Sequence, residues 1–340
     1  MTYDNSWSGP LADPAADAGH LEHPPRVGFF TDTSVCIGCK ACEVACKEWN
    51  AVPEDGINLL GMSFDNTGML GANTWRHVAF IEQDQPLGGH DAGFTGLPTG
   101  PPATEELAGV VASALSDTER GGGELGTAPV DLGFPSFELP GAATGAESRT
   151  AFRWLMSSDV CKHCTHAGCL DVCPTGALFR TEFGTVVVQE DICNGCGYCV
   201  SGCPYGVIDR RGEGDGRAAK CTLCYDRLRG GLEPACAKAC PTESIQFGPL
   251  DELRERADER LAALHDAGVT EARLYGNDPN DGVGGDGAFF LLLDEPEVYG
   301  LPPDPVVPTR DLPHMWKAAG LAASALLAAS VSAFVGRRGR

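Results

Sequence analysis

The chain has 340 residues, 43% of them hydrophobic, which is enough apolar material for one or two domains with a buried core. Its formal net charge of −22 argues against a nucleic-acid-binding surface, because contacts to phosphate need a surplus of Lys and Arg. Its sixteen cysteines leave two classes open, a disulfide-rich secreted protein and a metal-binding protein.

Residues 1–26 are predicted to be a polar N-terminal tail. They contain neither a basic start nor an apolar run, so they are typical of neither a secretory signal nor a membrane anchor. With no signal to favour disulfides, the choice between disulfides and metal depends on how the cysteines are spaced.

The first four cysteines lie in the segment 27–82, and a segment of different composition follows. Residues 83–150 contain 13 Gly and 7 Pro, with an excess of acidic over basic side chains. This composition is close to that of low-complexity chains, and only 103–119 has helical periodicity. We interpret 83–150 as an acidic surface insert, and a loop without function is the alternative.

The segment 151–249 contains the other twelve cysteines. Between its first two groups, two short runs, ALFR at 177–180 and TVVVQ at 185–189, flank Glu182, Phe183 and Gly184, and this pattern predicts a β-hairpin. The run 244–247 after the last group is a candidate counterpart elsewhere in the fold.

The segment 250–315 is predicted to be a C-terminal extension. Residues 250–266 have the periodicity of an amphipathic helix closed by Gly268. Residues 282–287 match the G-x-G-x-x-G dinucleotide pattern, but a polar loop precedes them and an apolar run follows. Because a nucleotide fingerprint needs a strand before it and a helix after it, we predict a glycine-rich turn instead.

Residues 316–336 are predicted to form one transmembrane helix. Positions 318–336 are uncharged and, at about 1.5 Å per residue, span roughly the apolar thickness of a bilayer. Its small residues favour packing against a partner helix, and a buried soluble helix is the alternative. The basic residues after it predict a cytoplasmic C-terminus and a cluster domain on the outer face of the cell membrane.

Cysteine spacing decides the chemistry. In chain order the four quartets are Cys36, Cys39, Cys42 and Cys46; Cys161, Cys164, Cys169 and Cys173; Cys193, Cys196, Cys199 and Cys203; and Cys221, Cys224, Cys236 and Cys240. Short gaps bring three thiolates round one cubane, while the fourth cysteine, followed by proline in three quartets, reaches the other cluster of a pair. Zinc also binds Cys-x2-Cys pairs, but it does not call for this repeated third cysteine and Cys-Pro. The spacing therefore predicts four [4Fe–4S] clusters, with iron as the metal on all sixteen cysteines.

Exchange of the fourth cysteine predicts which thiolates bind each cluster. The second and third quartets are neighbours and form one ferredoxin-like pair, and symmetry then pairs the first with the fourth. We call the predicted ligand sets site 1 (Cys36, Cys39, Cys42, Cys240), site 2 (Cys46, Cys221, Cys224, Cys236), site 3 (Cys161, Cys164, Cys169, Cys203) and site 4 (Cys173, Cys193, Cys196, Cys199). The sequence predicts no catalytic residues. His163 is either a hydrogen-bond donor near a cluster or a structural residue.

The chain resembles the four-cluster iron–sulfur subunits of molybdopterin oxidoreductases, and within them the β subunit of membrane-bound formate dehydrogenase. The resemblance is carried by CIGCKACEVACKEWN at 36–50, CNGCGYCVSGCP at 193–204, KCTLCYDR at 220–227, EPACAKACPTESIQFG at 233–248, GVGGDG at 282–287 and GLPPDP at 300–305. Related nitrate reductase subunits have a Trp where Cys196 stands, so nitrate reductase is disfavoured.

The resemblance implies an α+β fold of two interleaved ferredoxin-like 2[4Fe–4S] units, a C-terminal extension and one transmembrane helix. It implies a non-catalytic electron-transfer role, with a molybdenum or tungsten molybdopterin catalytic α subunit and a cytochrome b-type membrane γ subunit as partners. Site 1 would face the catalytic subunit and site 3 would be the exit towards the membrane. The alternatives are the same role for a polysulfide or thiosulfate oxidoreductase or a hydrogenase, and a membrane-anchored zinc scaffold.

Overall fold

The structure, a computed structural model, describes residues 13–55, 64–65, 67–83, 153–212 and 214–337. The helices are α1 (Pro14–Asp17), α2 (Ala41–Asn50), α3 (Gly168–Asp171), α4 (Tyr198–Ser201), α5 (Tyr225–Arg229), α6 (Ala235–Lys238), α7 (Leu250–Asp266) and α8 (Leu312–Arg337), with 3-10 turns at Thr33–Val35 and Pro296–Tyr299. The strands are β1 (Val27–Asp32), β2 (Arg76–Gln83), β3 (Arg153–Val160), β4 (Leu178–Arg180), β5 (Val186–Val188), β6 (Asp209–Arg210), β7 (Ala218–Ala219), β8 (Ile245–Pro249), β9 (Arg273–Tyr275) and β10 (Ala288–Leu292).

A four-stranded sheet joins the two ends of the sequence. Its strand order is β8-β1-β10-β9, with β1 antiparallel to β8 and parallel to β10. Both central strands are almost wholly buried, as expected for strands covered on both faces; β10 is entirely apolar, and β1 ends with the buried polar residues Thr31 and Asp32. The run predicted at 244–247 therefore does form a strand, and its partner is β1, more than two hundred residues away.

Helix α7 covers one face of this sheet and has the bounds that its periodicity predicted. Leu253 and Ala257 are fully buried against Phe30 and Phe289, whose rings stack 5.3 Å apart. Gly268 follows the helix in the left-handed conformation that commonly ends helices. This layer positions the start of the first-quartet segment.

The described residues also form three antiparallel strand pairs, β2–β3, β4–β5 and the short β6–β7. The predicted hairpin is formed by β4 and β5, which pair at Phe179 and Val187. Strands β2 and β3 pair over their whole length, from Arg76 opposite Val160 to Gln83 opposite Arg153. The end of β2 and the start of β3, which the predicted insert joins, therefore lie side by side. Most of the insert, including the helical periodicity at 103–119, lies outside the described residues.

The last element is the 26-residue helix α8. Its segment His314–Ala333 is long and apolar enough to cross a membrane, and none of it is buried against the rest of the described residues. Just before it, Thr309 donates a hydrogen bond of 2.6 Å to Asp171 of α3. The terminal helix therefore begins beside the short helix that carries Cys169.

Candidate metal centre: four groups of thiols

Sites 1 and 3 are cavities lined by thiols. The cavity at site 1 is bordered by Cys36, Cys39, Cys42 and Cys240, and the cavity at site 3 is bordered by Cys161, Cys164, Cys169 and Cys203. Each cavity brings three cysteines of one quartet together with the last cysteine of another. Which of these thiols bind iron stays a prediction.

Site 2 is a group of four buried thiols, two of which lie beside the side chain of Asn50. The Asn50 amide lies 3.8 Å from the Cys46 sulfur and 3.7 Å from the Cys224 sulfur. Burial raises the pKa of the Cys46 thiol to about 12, and the neighbouring Cys236 and Cys224 contribute to this rise. A thiolate forms here only with a strong positive partner, which a bound cluster would supply.

Site 4 is partly open, with one exposed, two half-buried and one buried cysteine, as at site 1. Burial raises the pKa of the Cys199 thiol to about 11, with contributions from Cys193, Cys173 and Cys196. Cys196 itself is exposed. The backbone N–H of Ala218 points at the Cys193 sulfur at 3.4 Å, so this site also offers a donor to a thiolate.

The spacing of these side chains does not suit a single metal ion. Among the described residues, no group of three or more His, Cys, Asp or Glu side chains is close enough to hold one. A tetrahedral zinc site would need four sulfurs about 2.3 Å from one point. A cubane holds its thiolates further apart, so the thiol groups fit a cluster better than zinc.

Sites 1, 2 and 3 adjoin one another in that order. Cys42 of site 1 and Cys46 of site 2 lie one turn apart on α2. Burial raises the pKa of the Cys221 thiol well above its usual range, and Cys46 of its own site and Cys161 of site 3 add to the shift. Site 2 therefore borders site 1 on one side and site 3 on the other.

Site 4 adjoins site 3, so that sites 1 to 4 form a row with site 4 at its far end. Burial raises the pKa of the Cys169 thiol to about 12 against the opposing charge of Lys220, and Cys199 of site 4 contributes to the rise. Helices α3 and α4 touch closely, since a Cβ at Gly168 would overlap the Gly202 carbonyl oxygen. Site 3 thus has site 2 on one side and site 4 on the other, and its predicted role as the exit stays a prediction.

The ends of the row are exposed and apolar. Beside site 1, Ile37 is 58% and Val44 is 60% exposed, and Cys39 is exposed as well. Beside site 4, Tyr198 is 60% exposed and Ile192 is 42% exposed. Exposed apolar side chains around a buried site are typical of a surface that another protein covers.

Two buried cations contact thiols. Arg76 donates to the Cys236 sulfur at 3.3 Å, and Lys220 donates to the Cys161 sulfur at 3.5 Å. Burial opposes the charge on each side chain, but the negative charge of the neighbouring cysteines in their thiolate form outweighs burial and raises the pKa of both Arg76 and Lys220. These cations fit clusters that, together with their four thiolates, carry a net negative charge.

Comparison with known proteins identifies the family. Residues 152–250 match the family described as "4Fe-4S dicluster domain". The chain is 34% identical over 302 residues to the nitrate-inducible formate dehydrogenase iron–sulfur subunit of Escherichia coli, covering 88% of this chain and 79% of that one. It is also 34% identical over 291 residues to the formate dehydrogenase iron–sulfur subunit of Haemophilus influenzae, covering 84% and 72%.

This protein belongs to the family of formate dehydrogenase iron–sulfur subunits. A more distant relative is a component of the anaerobic dimethyl sulfoxide reductase of Escherichia coli, 29% identical over 239 residues, or 70% of this chain and 80% of that one. Like these relatives it is an iron–sulfur electron-transfer protein, and its sixteen cysteines provide for four [4Fe–4S] clusters.

In this iron–sulfur subunit, His163 lines the cavity at site 3. Its Nδ1 accepts a hydrogen bond of 3.2 Å from the Val186 backbone N–H, so the proton of the neutral ring is on Nε2. Burial, with the nearby charges of Lys220 and Arg26, holds the pKa of His163 well below its usual range. Nε2 is buried without a partner among the described residues, so it is available as a donor to a group in the cavity.

The glycine-rich turn at 282–287 packs against the segment that carries Cys164. The backbone N–H of His166 donates to the Val283 carbonyl at 2.8 Å, and the N–H of Thr165 donates to the Gly285 carbonyl at 3.0 Å. Gly284 has a φ of +75°, and a Cβ there would overlap the His166 ring. The strand that follows is β10, as predicted, and the glycines permit close approach to site 3.

Sequence reasoning did not find Arg76 or Lys220. Lys220 directly precedes Cys221, and that position is its only signal. Arg76 has no signal in the sequence, because it lies 160 residues from Cys236, which it contacts.

Proposed function

We propose that this iron–sulfur subunit carries electrons from a molybdenum or tungsten formate dehydrogenase catalytic subunit to a cytochrome b-type membrane subunit that reduces quinone. When bound, the four clusters supply the one-electron carriers. The observation that carries the proposal is the row of sites 1 to 4 with an exposed apolar surface at each end. The cysteines bind the clusters, and the surrounding side chains exclude water from the interior sites.

We propose the ligand sets of sites 1 to 4 as the cluster ligands, in two interleaved ferredoxin-like units. The pairing of β1 with β8 supports joining the first and fourth quartets in one unit. Contact between α3 and α4 supports joining the second and third quartets in the other. The domain limits are those predicted from the sequence.

The direction of electron flow is from site 1 to site 4. The surface around Ile37 and Val44 suits the catalytic partner. Site 4 suits the membrane partner, because it ends the row and because the chain enters α8 next to Asp171, between Cys169 and Cys173. In this proposal site 4, rather than site 3, is the exit.

Helix α8 anchors the subunit, with the arginines at its end in the cytoplasm and the clusters on the outer face. Its apolar side chains, among them Leu321, Leu326 and Leu327, are exposed to the surroundings in the described part of the protein. Membrane lipid and the helices of the cytochrome subunit would cover them. A membrane-impermeant amine-reactive label added outside intact spheroplasts should therefore modify exposed lysines of the cluster domain, such as Lys238. Labelling of the domain only after lysis would contradict this orientation.

Addition of formate tests whether formate is the substrate of the catalytic partner. The native complex is solubilised from membranes, kept anaerobic, and followed by its visible cluster absorbance. Prompt bleaching on addition of formate is expected, with acetate as the matched carboxylate that should not bleach it. A coloured sample that does not respond to formate but bleaches with dithionite would support the electron relay and contradict formate as the substrate.

A second candidate is the same relay in a complex that reduces dimethyl sulfoxide, favoured by the 29% identity to the dimethyl sulfoxide reductase component. A dithionite-reduced complex would then be reoxidised by dimethyl sulfoxide. Reoxidation by quinone alone would favour the formate dehydrogenase complex.

A further inference from the structure

Two fully buried cations lie between neighbouring sites. Arg76 is 1% exposed and Lys220 is 2% exposed. In the described part of the chain, their hydrogen-bond partners are thiols, a hydroxyl and backbone carbonyls, and neither side chain pairs with a carboxylate. Because a buried cation is unfavourable without an anion, the anionic groups on either side are what compensate them.

Arg76 connects sites 1 and 2. One guanidinium nitrogen lies 3.3 Å from the Cys236 sulfur of site 2. The other donates to the Ser158 hydroxyl at 3.3 Å, and that hydroxyl lies 3.2 Å from the Cys42 sulfur of site 1. One fixed positive charge is thus shared by two thiol groups. The guanidinium also stacks near the Phe29 ring, at 4.9 Å, which fixes its position.

Lys220 connects sites 2 and 3 in the same way. Its ammonium lies 3.5 Å from the Cys161 sulfur and borders the cavity at site 3. It also donates to the carbonyls of Cys221 and Val186, at 2.9 and 2.5 Å. Through the Cys221 carbonyl it is held at the edge of site 2.

Another buried lysine has its charge compensated differently. Lys162 borders the same cavity, but its ammonium pairs with the Asp159 carboxylate and donates to the Val160 carbonyl. Its charge is therefore largely balanced before any group occupies site 3. Arg76 and Lys220 depend on the sites themselves for their counter-charge.

We infer that Arg76 and Lys220 set the reduction potentials of the clusters on either side of them, Arg76 at sites 1 and 2 and Lys220 at sites 2 and 3. Reduction adds one negative charge to a cluster, so a fixed cation beside it stabilises the reduced form and raises the potential. The effect is strong because both charges lie where water is excluded. The inference rests on the proposed relay and deepens it by naming the residues that set its interior potentials.

The test is a mediated redox titration of the native complex, reduced with dithionite and monitored by EPR. Signals are first assigned to sites with one cysteine-to-serine variant per site. Lys220→Met should lower the potentials at sites 2 and 3, and Arg76→Met those at sites 1 and 2. We expect a shift of at least tenfold in the redox equilibrium, about 59 mV for one electron. Site 2 should respond to both changes and site 4 to neither.

Two kinds of control separate charge from structure. Lys220→Arg and Arg76→Lys keep the charge and should keep potentials near those of the parent. Lys238→Met removes a cation from α6, between Cys236 and Cys240, whose side chain is 71% exposed and paired with Glu233. Solvent screens that charge, so no site should shift. Iron and labile sulfide are measured on every variant.

Several outcomes would overturn the inference. These are unchanged potentials in neutral variants with full iron content, equal shifts at all four sites, or the same shift in the charge-retaining variants. If a neutral variant loses iron while its charge-retaining partner has full iron and parental potentials, the requirement for charge is supported. Loss of iron in all four variants would assign a structural role instead. Formate is not used, so a wrong substrate would leave this result unaffected.

Discussion

At the scale of single residues, sites 1, 2 and 4 each place a hydrogen-bonding group beside a cysteine sulfur. Ser158 contacts Cys42, Asn50 contacts Cys46 and Cys224, and the Ala218 N–H points at Cys193. Hydrogen bonds to cluster sulfurs stabilise the reduced state and raise its potential. The donors differ from site to site, so the four potentials should differ as well.

Replacing Cys42 with Ala should remove one cluster. Site 1 would retain three thiols, and neither Ala nor the adjacent Ser158 hydroxyl can replace the missing thiolate. We expect iron per chain to fall by about a quarter and electron flow from formate to quinone to be lost. Unchanged iron content with full activity would contradict the ligand assignment.

Ser158→Ala is a milder change at the same site. It removes the hydroxyl that lies 3.2 Å from the Cys42 sulfur but leaves all four thiols of site 1 in place. Iron content should stay at the parental value, and the potential of the site 1 cluster should fall because a donor to its thiolate is lost. A redox titration checks this, and a rise in that potential would count against the predicted direction.

At the scale of elements, the central sheet joins distant cysteine segments at positions where backbones nearly touch. Gly28 lies on β1 between β8 and β10, and a Cβ there would overlap the Gly287 carbonyl oxygen. Gly287 cannot give way easily, because it belongs to the turn beside site 3 and leads into the fully buried strand β10. The glycine at position 28 allows β1 to approach that turn.

Gly28→Ala should therefore destabilise the folded subunit by about 1–3 kcal/mol, as for other overpacked sites. The measurement is the midpoint of thermal unfolding of the anaerobic complex, compared with Gly71→Ala. A Cβ at Gly71 would meet no atom within 4 Å, so that variant should unfold like the parent. Equal midpoints for the two variants would argue against close packing at β1.

Helix α8 should contribute little to the fold of the cluster domain, since its apolar segment is not buried against the rest of the described residues. Ending the chain after Asp311 should release the subunit from the membrane fraction without changing its iron content. Ultracentrifugation with iron analysis tests both parts, and Leu326→Ile in the full-length chain is the control that should remain in the membrane. A truncated chain that stays membrane-bound would mean that partner subunits alone hold it.

At the scale of the whole molecule, the four sites replace much of the ordinary hydrophobic core. Cys42, Cys46, Cys161, Cys221 and Cys236 belong to the largest buried cluster among the described residues. Buried Arg76 and Lys220 adjoin them. Without the bound groups, the interior would contain thiols with raised pKa values and cations without counter-charge.

Removing the clusters with an oxidant and a chelator should therefore unfold most of the domain, because cluster binding and folding are coupled. We expect near-UV circular dichroism and protease resistance to be lost, and to return when iron and sulfide are added anaerobically. Zinc is the control and should not restore them, because the thiol groups are spaced for a larger group. Native-like protease resistance in the iron-free chain would show that the polypeptide supports its own fold.

The sequence alone determined the chemistry and the local elements. Cysteine spacing predicted [4Fe–4S] clusters, and periodicity predicted α7 and the β4–β5 hairpin, because these depend on residues close together in the chain. Similarity to known subunits supports the cofactor and the family.

Only the tertiary structure decided the order of the sites and the position of the buried cations. The pairing of β1 with β8, the contact of Arg76 with Cys236 and the interior position of site 3 join residues far apart in sequence. Such contacts leave no periodic or spacing signal, because they arise only when separate segments pack together. For that reason the four quartets could be read from the sequence, whereas the route between them could not.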